Sequence, residues 1–102
     1  MNPLVSRQVI HGEHMTVARL RLKKGAHVPL HHHVNEQMSI MESGALRFTI
    51  GGEEVVARAG DAIRIPPNVP HEVTAEDDCL VFDLFSPPRA DWIRGDDAYL
   101  RK

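Results

Sequence analysis

Apolar and polar residues alternate one for one in short segments along most of this chain, and glycine or proline separates the segments. A period of two places every second side chain on one face of an extended strand, whereas an amphipathic helix repeats at three and four residues. Ala18, Leu20 and Leu22 alternate with Arg19, Arg21 and Lys23, and Leu46, Phe48 and Ile50 alternate with Arg47 and Thr49. Gly51-Gly52 follows at once, and two glycines supply the positive φ angles of a tight hairpin. The returning strand is expected over Glu54 to Arg58. Gly60-Asp61 breaks the chain before Ile63 and Ile65, which share a face. Pro66-Pro67-Asn68-Val69-Pro70 is a rigid turn that cannot lie inside a sheet. His71, Val73 and Ala75 alternate again, and Leu80 to Phe85 is a last strong strand. One face of that strand carries Leu80, Phe82 and Leu84, and the other Val81, Asp83 and Phe85. This composition predicts burial on both sides, a cavity on one and a packed sheet or partner subunit on the other. Pro87-Pro88 ends the pattern, and Arg89 to Lys102 is expected to form a turn or short helix covering the fold. Many short strands with glycine and proline turns predict an all-β barrel or sandwich.

Length and charge narrow the classes further. At 102 residues the chain has room for one domain. A formal net charge of -2 leaves no electrostatic footprint for nucleic acid or an anionic membrane surface. Cys79 is the one cysteine and cannot form an internal disulfide. The segment Met1 to His14 lacks the basic-then-apolar run of a signal peptide, and no apolar stretch reaches membrane-spanning length. A soluble, cytoplasmic protein is the expectation.

Histidine is the feature that points to chemistry. Of seven, four lie between His27 and His33. On a strand His31 and His33 share a face and His32 points away. Gln37 has the same parity if the chain between stays extended, and His71, delivered by the proline turn, can reach the same space from a neighbouring strand. Two imidazoles from one strand and one from another can converge on a divalent metal at roughly 2.0–2.1 Å each. Alone, the His31–His33 pair fits an exposed polar patch equally well.

The spacing of the whole set resembles the cupin superfamily. Gly25, His31, His33, Gln37 and Gly44 match its first motif, and Gly60, Pro66 and His71 its second. The resemblance implies a double-stranded β-helix (jelly-roll) barrel over about residues 16–86 with a tail over 87–102. It further implies one bound divalent transition metal (Zn, Ni, Fe, Mn or Co) and a homodimer. Gln37 stands where an acidic ligand is usual, Asn68 replaces a glycine, and Ala75 sits where asparagine is common. Asparagine tolerates positive φ, so Asn68 is a mild change. A neutral amide beside three neutral imidazoles leaves the charge of a metal uncompensated, which favours Lewis-acid work on an anionic or enolisable molecule over iron-based oxygen chemistry.

The end of the barrel carries a second signal. Asp83 shares its face with Phe85, and an inward carboxylate is either paired, here with Arg89 or Arg64, or has work to do. Arg89 follows two prolines and can fold over the barrel mouth, where a guanidinium suits bidentate binding of a carboxylate; it can equally be a surface arginine. The stretches Ile65 to His71 and Asp83 to Arg89 are similar to the pectin-degradation cupins of the KdgF type. That resemblance implies opening of the ring of 4,5-unsaturated uronates to linear keto acids. It implies His31, His33, Gln37 and His71 as metal ligands, Asp83 and Arg89 as catalytic residues, and Phe85 and Arg89 against a small anionic sugar acid. Val34-Asn35 replaces the usual Pro-His of that family. The competing readings are another metal-dependent cupin enzyme, an oxygenase or isomerase, and a ligand-binding or sensor cupin without catalysis. Cys79 has no cationic neighbour in sequence and reads as structural. Trp92, Ile93, Tyr99 and Leu100 read as a tail docking on its own barrel or on a partner subunit, and the charges of Arg94 to Lys102 as a solvated face.

Overall fold

The computed structural model describes residues 3–95. Among the described residues nine strands run in order: β1 (Val5–His11), β2 (Thr16–Leu22), β3 (His27–His31), β4 (Glu36–Ser43), β5 (Ala45–Ile50), β6 (Glu53–Arg58), β7 (Ala62–Ile65), β8 (His71–Ala75) and β9 (Cys79–Ser86). A single-turn helix, α1 (Ala90–Ile93), follows. Two antiparallel sheets face each other, one ordered β1-β2-β9-β4-β7 and the other β3-β8-β5-β6. This is the all-β architecture that the alternation predicts, with two facing sheets as the cupin resemblance implies.

The core is what the period of two places between the sheets. Ala18, Leu20, Leu22, Met41, Val81 and Phe85 come from the first sheet, and Val28, Leu46, Phe48, Ala57 and Ala75 from the second, all buried. Gly51 and Gly52 turn the β5–β6 hairpin at φ 56 and 85, and Asn68 takes φ 63 in the proline turn, where its short polar side chain accepts the left-handed conformation.

Gly44, between β4 and β5, is constrained twice. It sits at φ 79, and a Cβ there would lie 2.6 Å from the Cβ of Cys79 and closer still to the carbonyl oxygen of Asp78. Gly52, at φ 85, has open space around it. Gly44→Ala is therefore expected to destabilise by more than the ~1–2 kcal/mol of a left-handed alanine, and Gly52→Ala by about that penalty alone. Urea midpoints of the two variants measure the difference, and equal midpoints would remove the steric argument.

Three expectations are modified. The first sheet begins at Val5, before any strand the alternation marks, because β1 pairs along its whole length with β2 and buries Val5. Among the described residues no second sheet covers the outer face of β9: within the single chain Leu80, Phe82 and Leu84 are half-buried. They share the outer surface with the exposed Met38 and Ile40, which pair with Leu84 and Phe82. Finally, α1 docks through one side chain, Trp92, which is buried while Ile93 is exposed. Tyr99, Leu100 and the charges after Gly95 lie outside the described residues.

Candidate metal centre

At one end of the barrel the inward-facing rows change from apolar to polar. Register pairs Met41 with Val81, then Ser39 with Asp83, then Gln37 with Phe85. Across the barrel, His31 at the end of β3 faces His71 at the start of β8. The same parity that fills the core therefore delivers Gln37, Ser39 and Asp83 to the cavity wall. One pocket is lined by His31, His71, Gln37, Asp83, Phe85 and Arg89, together with Trp92 and apolar residues such as Leu20 and Phe48.

His31, His33 and His71 converge. Their ring centroids are 4.3 Å (His31–His71), 4.9 Å (His33–His71) and 5.8 Å (His31–His33) apart, and one nitrogen from each lies within 4.8 Å of the others. The inside–outside alternation holds through this stretch: His33, Asn35 and Gln37 are buried while His32 and Val34 are exposed. β3 ends at His31, and His33 lies in the connection before β4, so the pair shares the inner face beyond the end of the hydrogen-bonded strand. His32 and His27 are exposed, and His27 bonds to Thr74 outside the site.

Each of the three rings is held by its Nδ1. The partners are the carbonyl oxygens of Pro29 for His31 (2.7 Å), Asn35 for His33 (3.0 Å) and Val69 for His71 (2.8 Å). A carbonyl only accepts, so each Nδ1 carries the proton and each Nε2 keeps its lone pair. This is the support that orients metal-binding imidazoles. The Nε2 of His71 is buried without a hydrogen-bond partner among the described residues, an arrangement that costs free energy unless a cation accepts the lone pair. Three neutral nitrogen donors within 4.8 Å of one another fit a divalent transition metal.

Burial lowers His31 and His33 from 6.5 to about 4, with the neighbouring His71 and Arg89 adding to the shift. Burial and Arg89 lower His71 as well. Protons compete for Nε2 only where the imidazole is charged. Metal affinity is therefore expected to stay nearly level from about pH 7 down to about pH 5 and to fall only as the pH nears 4, whereas ordinary imidazoles would lose metal from about 6.5 downward. Cobalt titrations at several pH values test this, and a steep loss near pH 6 would contradict it. Linkage adds a stability effect in the metal-free protein. The unfolded chain binds protons at these imidazoles between about 6.5 and 4 and the folded chain does not, so stability falls as the pH falls through that window.

Asp83 does not pair with Arg89 or Arg64, the two partners its sequence context suggests. Arg64 pairs with Glu36 at 2.8 Å, and Asp83 accepts a 2.6 Å hydrogen bond from the Ser39 hydroxyl. Burial raises its pKa from 3.8 to about 6, against the lowering effects of the Ser39 bond, the Arg89 charge and Gln37. Its linkage runs opposite to that of the imidazoles between those two values, one carboxyl against three rings.

Arg89 is no surface arginine: it is 1% exposed. Its guanidinium lies over Phe85 (4.7 Å) and Trp92 (4.2 Å). It donates through Nε and Nη2 to both carboxylate oxygens of Asp91 at 2.9 and 2.7 Å. The bidentate carboxylate beside it is thus its own neighbour. Burial pushes the Asp91 pKa up, but the Arg89 bonds and charge outweigh that and hold it low.

Three residues escaped the sequence reading. Asn35 is buried, donates its amide to the carbonyl oxygens of Pro87 and Pro88, and accepts from His33. It ties the connection before β4 to the segment that carries Arg89, yet in sequence it looks like any turn asparagine. Asp91 holds Arg89 from within α1. Ser39 bridges Gln37 and Asp83, and its even spacing from Gln37 on β4 was the available signal. Cys79 is buried, and burial and nearby aspartates push its thiol up to about 11, which suits a structural residue.

Comparison with known proteins agrees with this geometry. The family model for the Cupin domain matches residues 18–85. The chain is 28% identical over 92 residues to the pectin degradation protein KdgF of Dickeya dadantii (strain 3937), covering 87% of this chain and 84% of that one. Among solved structures it is similar to KdgF from Halomonas sp., with a TM-score of 0.84 at 30% identity, covering 90% of this chain and 86% of that one. It is equally similar in fold to an RmlC-like cupin from Shewanella frigidimarina, with a TM-score of 0.84 at 27% identity over 90% of this chain and 84% of that one. A barrel of these two sheets, with three converging imidazoles at its polar end and a family match over most of its strands, belongs to the cupin family and resembles its KdgF-type members.

Proposed function

We propose that the protein is an enzyme that opens the ring of 4,5-unsaturated uronates to linear keto acids. The observation that carries this reading is a pocket lined by His31, His71, Asp83, Phe85 and Arg89, with His33 grouped beside the two histidines. The similarity to two KdgF proteins supports it.

In this reading His31, His33 and His71, with Gln37 as a fourth donor, hold one divalent metal. The Gln37 Oε1 stands 3.1 Å from the Nε2 of His33, two lone pairs side by side, as two ligands of one ion would be. A bound metal supplies a Lewis acid that favours negative charge on an oxygen in the pocket. Asp83 takes the proton of the anomeric hydroxyl as the bond from that carbon to the ring oxygen breaks. It returns the proton to the neighbouring alkene carbon, so the product is an isomer of the substrate and no atom is gained or lost. A carboxyl held near 6 both accepts and donates a proton close to neutral pH. Arg89, fixed by Asp91 and stacked on two rings, gives the pocket a positive wall against which a uronate carboxylate is drawn. Phe85 offers an apolar face to the sugar.

The test is the decay of the ultraviolet absorbance of unsaturated galacturonate on addition of metal-loaded protein. Accelerated loss of the conjugated double bond is expected. Oxygen uptake by the iron-loaded protein without that decay would favour an oxygenase, and saturable binding without decay a sensor. The same reading pairs two copies of the chain through the outer surface of the first sheet, where Met38, Ile40, Phe82 and Leu84 adjoin. Light scattering giving the mass of a single chain would remove that part.

A further inference from the structure

We infer that Ser39 is a positioning residue that turns the Gln37 amide so that its carbonyl oxygen, and not its NH2 group, faces the three-histidine centre. The inference deepens the reading of Gln37 as a metal donor and rests on it.

Ser39 is 0% exposed, so every polar atom of its side chain must find its partner within the protein. Its hydroxyl has a single proton, which goes to Oδ1 of Asp83 directly across the strand pair at 2.6 Å. Toward Gln37 the Ser39 oxygen can therefore only accept, and it receives the amide Nε2–H at 3.0 Å. With the NH2 group committed on that side, Oε1 is left on the side of His33. Rotating the amide by half a turn would set its carbonyl oxygen against a hydroxyl whose proton is already used, two buried acceptors in contact, which is unfavourable.

On the other side, His33 does not supply the orientation. Its one N–H is bound to the carbonyl oxygen of Asn35, so its Nε2 offers Gln37 a lone pair. That lone pair alone would favour the NH2 group, the orientation that repels a cation. The direction of the amide is thus decided from behind, by the run Asp83, Ser39, Gln37. The geometry of β4 makes the run possible: Gln37 and Ser39 are both inward on an alternating strand, and register sets Ser39 opposite Asp83. Outer partners of metal ligands typically change affinity 10–100-fold when removed.

The experiment uses cobalt(II) titrated into the full-length, chelator-treated protein, with affinity read by competition against a chelating dye and coordination read from the visible spectrum. Ser39→Ala is expected to weaken cobalt binding by roughly 10–100-fold and to move the spectrum toward that of Gln37→Ala. Ser39→Cys, close in volume but a poor acceptor, is expected between parent and Ser39→Ala, and it carries the same test where the alanine protein does not fold. If the Ser39 variants keep the affinity and spectrum of the parent while Gln37→Ala loses both, Ser39 does not orient the amide. If Gln37→Ala also matches the parent, the assignment of Gln37 as a donor falls, and this inference falls with it.

Discussion

Asp83→Asn is expected to slow the opening of an unsaturated uronate by about 10²–10⁴-fold, the usual contribution of a positioned proton-transfer group, while cobalt binding stays within a few-fold of the parent. The asymmetry follows from the hydrogen bonds. An asparagine at this position keeps an oxygen that can accept the Ser39 proton, so the run from Ser39 to Gln37 survives. It loses only the capacity to take up a proton and hand it on. Because burial holds the Asp83 carboxyl near 6, the parent is further expected to lose activity as the pH falls through that region and the base becomes protonated, and the variant to lack this limb. An Asp83→Asn protein as active as the parent would end the assigned role. One that lost both activity and metal would mean that the substitution acts on the centre as a whole.

The second large effect concerns the centre itself. Binding of metal to the folded chain alone stabilises it by ~4 kcal/mol at a free concentration about a thousandfold above Kd, and for a domain near this length each kcal/mol moves Tm by about 4–8 °C. Chelation is therefore expected to lower Tm by at least ~15 °C under such conditions. His71→Ala is expected to abolish the metal-induced rise. His71 is the member that joins the sheets' chemistry: it starts β8, faces His31 across the strand pair, and holds its Nε2 buried with no hydrogen-bond partner among the described residues. Replacing it removes a donor and also that strained arrangement, so the metal-free variant is expected to be little less stable than the metal-free parent. Thermal melts of both proteins with and without cobalt check this, and a His71→Ala protein that still gains stability from the metal would remove His71 from the ligand set.

How much of this was legible in the residues depends on the range of the interaction that carries it. Strand positions were legible because the core needs every second side chain on one face, and that demand is written locally in Ala18-Leu20-Leu22 and Leu46-Phe48-Ile50. The Gly51-Gly52 hairpin and the positive φ of Asn68 were legible because turn geometry is a property of a few adjacent residues. The edge strand β1 was not, since Val5–His11 is held by pairing with β2 and has one buried apolar residue rather than a row of them. Parity found His31 and His33, and the alternation runs on past the end of β3, with His33 and Asn35 buried and His32 and Val34 exposed.

The sequence by itself determined the all-β architecture, the alternation that fills the core, and the candidate donors, because strand periodicity, turn chemistry and side-chain type are local quantities. Only the tertiary structure decided who stands next to whom. It gave Asp83 a serine partner instead of an arginine, buried Arg89 as a cation held by Asp91, and tied the turn at Asn35 to the Pro87-Pro88 segment. Each of these is a contact between side chains on different elements or around a turn. Its partner is selected by register and burial after the sheets close, and burial then shifts the acid strengths of His31, His33 and Asp83 away from their ordinary values.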